Sequence, residues 1–187
     1  ERFDATGREI VALDEEAART AIRELVEQQG AEAIVVSFLW AHRSPAHERR
    51  VGELARELYP DLHVTLGSEI SGTLGEFNRL ATAVINGYVG MRVDEQANAL
   101  RDFLSSHGLT VPILVMQLVG GVAPLAEVVK RPVTLLKSGP AGGAVAAASI
   151  SEQIGERNVV CMDMGGTSLD VSRIVEGEIQ LNRGFSV

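Results

Sequence analysis

The segment that most restricts the fold is Ala33-Ile-Val-Val-Ser-Phe-Leu39, a short, almost unbroken apolar run rich in β-branched residues. Such a run suits a strand covered on both faces, as in a parallel sheet. What precedes it agrees. Asp14 can cap a helix whose first turn carries Glu15 and Glu16, and whose apolar positions Ala18, Ile22, Leu25 and Val26 recur at helical spacing up to Gly30. A helix followed by a buried strand predicts a parallel α/β layer. The pattern repeats, with a helix from about Ala46 to Tyr59, stopped by Pro60, and a strand near His63 to Leu66.

From about Leu74 to Ser106 the pattern is helical, and the Gly87 and Gly90 pair is expected to kink or divide it. This stretch is the expected passage between two domains. Beyond it come a strand at Ile113 to Gln117, a Gly120-Gly121 turn, a short helix and a strand at Thr134 to Leu136. Ser138-Gly-Pro-Ala-Gly-Gly143 then opens an Ala-rich helix to about Ile154, with Pro140 in its first turn. Val159 to Met164 and Leu169 to Val175 read as antiparallel strands, and Glu176-Gly177-Glu178 turns into a third. The expected division is 1–66, a connecting segment 67–82, and 83–187.

Bulk properties narrow the partners. The 187 residues are 45% apolar, enough for a real core, and hold one large domain or parts of two. A net charge of −8 argues against a broad footprint for nucleic acid or an anionic membrane surface and favours a small-molecule or protein partner. A lone cysteine, Cys161, rules out an internal disulfide framework, and no apolar run is long enough to cross a bilayer, so the cytoplasm is the expected compartment. The chain starts at Glu1 without an initiator Met and stops at Val187 in a strand-like run, and is read as a fragment of a longer polypeptide.

Chemistry concentrates in Asp163-Met-Gly-Gly-Thr-Ser-Leu-Asp170. Paired glycines, Gly165 and Gly166, let backbone N–H groups crowd around an anion, and the Thr167 and Ser168 hydroxyls add donors. Gly166 is expected at the tightest point, where a β-branched side chain should not fit. Asp163 and Asp170 can hold Mg2+ waters or orient a nucleophile. The same residues also suit a plain hairpin whose glycines satisfy positive φ and whose aspartates cap it. Neither a P-loop nor a dinucleotide-binding fingerprint occurs anywhere in the chain.

Other candidates have two readings each. Gly139, Gly142 and Gly143 can present N–H groups to an anion at a helix start, or simply permit close packing on a sheet. His42 and His47 flank Pro45 as a metal or substrate site, although a helix-start or surface role suits them better without a third ligand. Cys161 reads as a small core residue in preference to a nucleophile. Glu69, Glu76 and Arg79 fit a solvated helix face better than a cleft lining.

DMGGTSLDV, the upstream LLKSGPAGGAV, VMQLVGG and RSPAHERRVGEL together resemble, in the same order, the hydantoinase A, 5-oxoprolinase and acetone carboxylase β-subunit family. The resemblance spans most of the chain, and DMGGTS followed by x-Asp-Val is its most specific part. It implies an α/β fold like that of the actin, Hsp70 and sugar-kinase ATPases (ribonuclease H-like), which grip phosphates with glycine-rich hairpins from two related domains. Residues 1–66 would be the end of the family's N-terminal domain and 83–187 the start of its ATPase domain. ATP and Mg2+ are the implied cofactors, with Asp163 and Asp170 catalytic, Asp163 on the metal, and Gly165, Gly166, Thr167, Ser168, Gly139 and Gly142 on the nucleotide. The implied activity is ATP-dependent hydrolysis of a cyclic amide, with a second, hydantoinase B-like subunit as partner and the fragment inactive alone. Three alternatives stand beside it: the β-subunit of an ATP-dependent ketone carboxylase, a sugar- or acyl-kinase-like phosphotransferase, and a non-catalytic assembly module. The chain departs from the family at Leu118 and Val119, where polar residues are usual, and at Leu169, where Thr is usual.

Overall fold

Asp14 closes the first helix as its position predicts: its carboxylate accepts from the Ala17 N–H at 2.9 Å, and α1 runs from Glu15 to Arg23. The computed structural model describes residues 1–181. Among these, two compact units are distinguished, one of residues 1–109 and 129–133, the other of residues 110–128 and 134–181.

In the first unit a small hairpin, β1 (Arg2–Phe3) and β2 (Glu9–Val11), turns at Asp4, whose carboxylate accepts from Thr6 and Arg8 N–H groups. After α1 a π-helical turn, Glu24–Gln28, leads to β3 (Ala33–Val36). The strand is shorter than its apolar run, because the chain turns at Phe38 and Trp40 takes a left-handed φ of 60°. Helix α2 (Ala46–Leu58) returns the chain to β4 (His63–Leu66), which pairs parallel with β3 in the register Ala33 to His63 through Val36 to Leu66. Ile22, Ile34, Val36, Val51, Leu54, Ala55 and Leu66 form the core. The parallel α/β layer expected from the alternation is therefore present.

Helix α3 (Gly67–Ile70) is a single turn, and α4 (Glu76–Ser106) is continuous across Gly87 and Gly90. The expected division of the helix is thus absent. Both glycines instead let α4 lie flat on β3 and β4: a Cβ at Gly87 would stand 2.9 Å from Val35 Cγ2, and one at Gly90 would collide with the His63 ring. Helix α4 is part of the first compact unit.

Two buried charges hold the end of β3. Glu48, fully buried in α2, accepts from the Phe38 and Ser68 N–H groups, each at 2.8 Å. Arg79 on α4 is also fully buried and donates to the Phe38 carbonyl at 3.0 Å and to that of Thr73. Arg79 is therefore a structural clamp, not part of a solvated face; Glu69 is exposed and Glu76 half-buried.

In the second unit β5 (Leu114–Met116) pairs antiparallel with β6 (Val122–Pro124), and the one-turn helix α5 (Leu125–Val128) follows. The expected strand at Thr134 to Leu136 does not form. Pro132, which lacks an N–H for a ladder, opens a 3-10 turn, Pro132–Leu135, in its place. Helix α6 (Ser138–Ile154) follows, then a three-stranded antiparallel sheet of β7 (Val159–Met164), β8 (Leu169–Val175) and β9 (Glu178–Ile179) in the order β7-β8-β9. Helix α6 packs on this sheet and on β5.

Candidate active site

The ladder of β7 and β8 sets the geometry. Asp163 stands directly opposite Asp170, Cys161 opposite Ser172, and Met164 opposite Leu169 at the last rung. Opposed residues share a face, and alternate rungs face opposite ways. Asp163, Asp170, Cys161 and Ser172 therefore lie on one side, where they line a cavity of about 480 Å³. Met162, Met164 and Leu169 belong to the other face and are exposed. The unusual Leu169 thus lies away from the cavity side chains.

Beyond the last rung the Gly165 N–H donates to the Ser168 carbonyl at 3.0 Å, leaving Gly166 and Thr167 as the hairpin tip. Neither Gly165 nor Gly166 takes a left-handed φ, and a Cβ on Gly166 would meet nothing within 4 Å. The expectation that the turn excludes a β-branched residue sterically is corrected: the protein leaves open space there. The turn itself therefore does not demand the glycine pair. Gly165, Gly166, Thr167 and Ser168 are exposed and do not line the cavity itself.

The start of α6 forms another wall. Pro140, Ala141, Gly143 and Ala144 border the cavity, whereas Gly142 faces β5, with Met116 Cγ 3.5 Å from where its Cβ would be. Gly139 has open space around it. Of the helix-start glycines it is Gly143, not Gly139 or Gly142, that borders the space beside the aspartates.

One group stands out in the structure that the sequence did not single out as a site residue. Lys137, just before α6, has a left-handed backbone, φ 58° and ψ 22°, and its ammonium lies 3.4 Å from Asp170 Oδ1. The only signal in the sequence was its place next to Ser138-Gly-Pro; a left-handed lysine has no signature of its own. Leu118 and Val119 also line the cavity, as their expected substrate-facing turn implies, so the departures noted there make it more apolar. Cys161 is half-buried on the cavity wall, not a core residue.

No cluster of three or more His, Cys, Asp or Glu side chains that could hold a metal occurs among the described residues. Asp163 and Asp170 alone fit Mg2+, which keeps several waters and takes one or two protein carboxylates with phosphate oxygens. Asp163 makes no side-chain hydrogen bond among the described residues and so keeps its acceptor capacity. His42 and His47 are not brought together as ligands. His47 is buried, its two ring nitrogens held by Glu1 at 2.8 Å and Glu9 at 3.1 Å. No helix among the described residues is long and apolar enough to cross a membrane.

The layered fold and the carboxylate-flanked glycine hairpin define an α/β protein of the actin-like ATPase type. The family is shown by comparison: residues 79–186 match the hydantoinase/oxoprolinase model and residues 1–59 the model of the hydantoinase/oxoprolinase N-terminal region. This chain belongs to the hydantoinase/oxoprolinase family. It is 36% identical over 186 residues to the acetophenone carboxylase gamma subunit of Aromatoleum aromaticum, covering 96% of this chain and 25% of that protein. It is 33% identical over 171 residues to the caprolactamase subunit alpha of Pseudomonas jessenii, covering 91% of this chain and 24% of that one. A nucleotide-free structure of acetone carboxylase superposes with a TM-score of 0.87 at 30% identity, over 96% of this chain and 25% of that chain. The chain thus spans about a quarter of the length of these relatives.

Proposed function

We propose that the chain contributes one phosphate-handling hairpin to an ATP-dependent enzyme that activates a carbonyl group. The reading rests on one observation above all: Asp163 and Asp170 oppose each other one rung below a Gly-Gly-Thr-Ser tip that has no conformational need for glycine, beside a cavity of about 480 Å³. That volume lies within the range of ligand sites, roughly 300–1,000 Å³. Gly165, Gly166, Thr167 and Ser168 would present N–H and hydroxyl donors to the phosphates, Asp163 would hold Mg2+ through its waters, and Asp170 would orient the group attacked. The first turn of α6, including Gly139 and Gly142, would add partial positive charge. Bound Mg2+·ATP supplies the electrophilic phosphorus that makes a carbonyl oxygen a leaving group.

The substrate class proposed is a cyclic amide, as in hydantoinase and 5-oxoprolinase chemistry, acted on together with a second subunit in the cytoplasm. Relatives named caprolactamase subunit alpha and 5-oxoprolinase support this class. The second reading is a ketone carboxylase subunit; the apolar wall of Leu118 and Val119 favours it, since a ketone offers fewer polar groups than a lactam. We assign residues 1–66 to the family's N-terminal domain and 83–187 to its ATPase domain. On the same reading, residues 1–187 alone do not turn over ATP. Phosphate release by the full polypeptide with its partner subunit, measured with hydantoins, 5-oxoproline, lactams and small ketones, tests the class. Stimulation by an amide supports the hydrolase, stimulation by a ketone with bicarbonate the carboxylase, and stimulation by neither contradicts both.

A further inference from the structure

We infer that Lys137 is the phosphate-positioning cation of this site, held by Asp170 until a polyphosphate takes its ammonium. The inference rests on the ATP reading and goes beyond it by assigning a role to a group outside the glycine hairpin.

Charge is the first reason. Among the described residues lining the cavity, the charged ones are Lys137, Asp163 and Asp170, so one ammonium against two carboxylates leaves a net charge of −1. A cavity with only the two carboxylates would repel a nucleotide triphosphate. Mg2+ offsets part of this, and among the described residues Lys137 is the one basic side chain on the wall that can offset more.

Backbone geometry is the second. A non-glycine residue at φ 58° is uncommon, and β- or α-region alternatives are open to most lysines. Here the left-handed residue stands just before α6, and its Nζ reaches to Oδ1 of Asp170 on β8.

The third reason is how loose the contact is. At 3.4 Å, with the Lys137 side chain 72% exposed, the pair is a weak surface ion pair. Exchanging one carboxylate oxygen for a phosphate oxygen costs little, and Mg2+ drawn to the aspartates would drive the exchange. Lys137 is thus a positioning residue for the transferred phosphate, through a point charge that needs no fixed fork geometry.

Calorimetric titration of the full polypeptide with Mg2+·ATP and with adenosine tests this. Lys137→Met should weaken Mg2+·ATP binding by about tenfold or more, the loss expected for one charge-assisted contact, and leave adenosine unchanged, while Lys137→Arg restores most of the affinity. Asp170→Asn, which keeps the lysine and removes its holder, should bind Mg2+-free ATP at least as tightly as the parent. Unchanged Mg2+·ATP binding by Lys137→Met, equal loss of adenosine, or weaker Mg2+-free binding by Asp170→Asn overturns the assignment. A parent that binds no ATP removes the underlying reading as well.

Discussion

Gly166→Val separates a phosphate loop from an ordinary hairpin, because the fold itself gives the new side chain room. The tip does not use a left-handed φ, and a Cβ there has no neighbour within 4 Å. Stability should therefore change by no more than about 0.5 kcal/mol, as for surface substitutions away from special features. Binding should behave differently. If the backbone N–H groups of the tip donate to phosphate, two γ-methyls beside them block the approach and remove at least one hydrogen bond to a charged group, about 1.5–3 kcal/mol. At about 1.4 kcal/mol per tenfold, ATP affinity should fall by roughly 10- to 150-fold. Calorimetric titration of the full polypeptide, beside thermal melting followed by circular dichroism, measures both quantities. A Gly166→Val protein that melts like the parent and also binds ATP like the parent refutes the phosphate-loop reasoning; one that unfolds refutes the placement of the tip.

Three further outcomes are expected. Asp163→Asn keeps shape and removes charge, so nucleotide should still bind while Mg2+-dependent phosphate release falls by roughly 10- to 100-fold, the usual cost of disturbing a group that orients metal waters. Gly87→Val should destabilise the first unit by about 1–3 kcal/mol in denaturant unfolding, since a Cβ there would already crowd Val35 Cγ2 at 2.9 Å. The hydrogen bonds from Arg50 to Glu15, at 2.7 and 2.8 Å, hold the Glu15 carboxyl below its ordinary value of 4.5. A carboxyl depressed in the folded state stabilises fully above its unfolded pKa, and that contribution is lost as pH falls through the folded value. Glu15→Gln should therefore flatten the acid limb of stability below about pH 4.5 and leave its slope at neutral pH unchanged; an unaltered acid limb contradicts the pairing.

The pattern of buried strands and amphipathic helices was readable because burial and period leave direct marks on composition. Ala33 to Val36, α2 and the β7-β8 hairpin all lie where alternation and apolar runs place them. Continuity of α4 was not readable: a glycine pair signals a break locally, and only the proximity of Val35 and His63 reveals that it serves close packing. Pro132 likewise turned an apolar run that suits a strand into a 3-10 turn. At the site, the aspartates and the glycine tip were visible as a motif, and register then showed that Asp163 and Asp170 share a face. The contact of Lys137 with Asp170 was hidden because it joins a left-handed residue to a strand 33 residues away, neither of which spacing encodes. The burial of Arg79 was hidden for a related reason, as its partners are carbonyls set by tertiary packing.

The central claim is that the opposed aspartates and glycine tip serve ATP-dependent carbonyl activation, and substrate-stimulated phosphate release tests it most directly. The full polypeptide with its partner subunit, supplied with Mg2+·ATP, should release phosphate faster when a cyclic amide or a small ketone is added. That stimulation should disappear in Asp163→Asn. Release that no carbonyl compound stimulates, or that is the same in Asp163→Asn as in the parent, would contradict it.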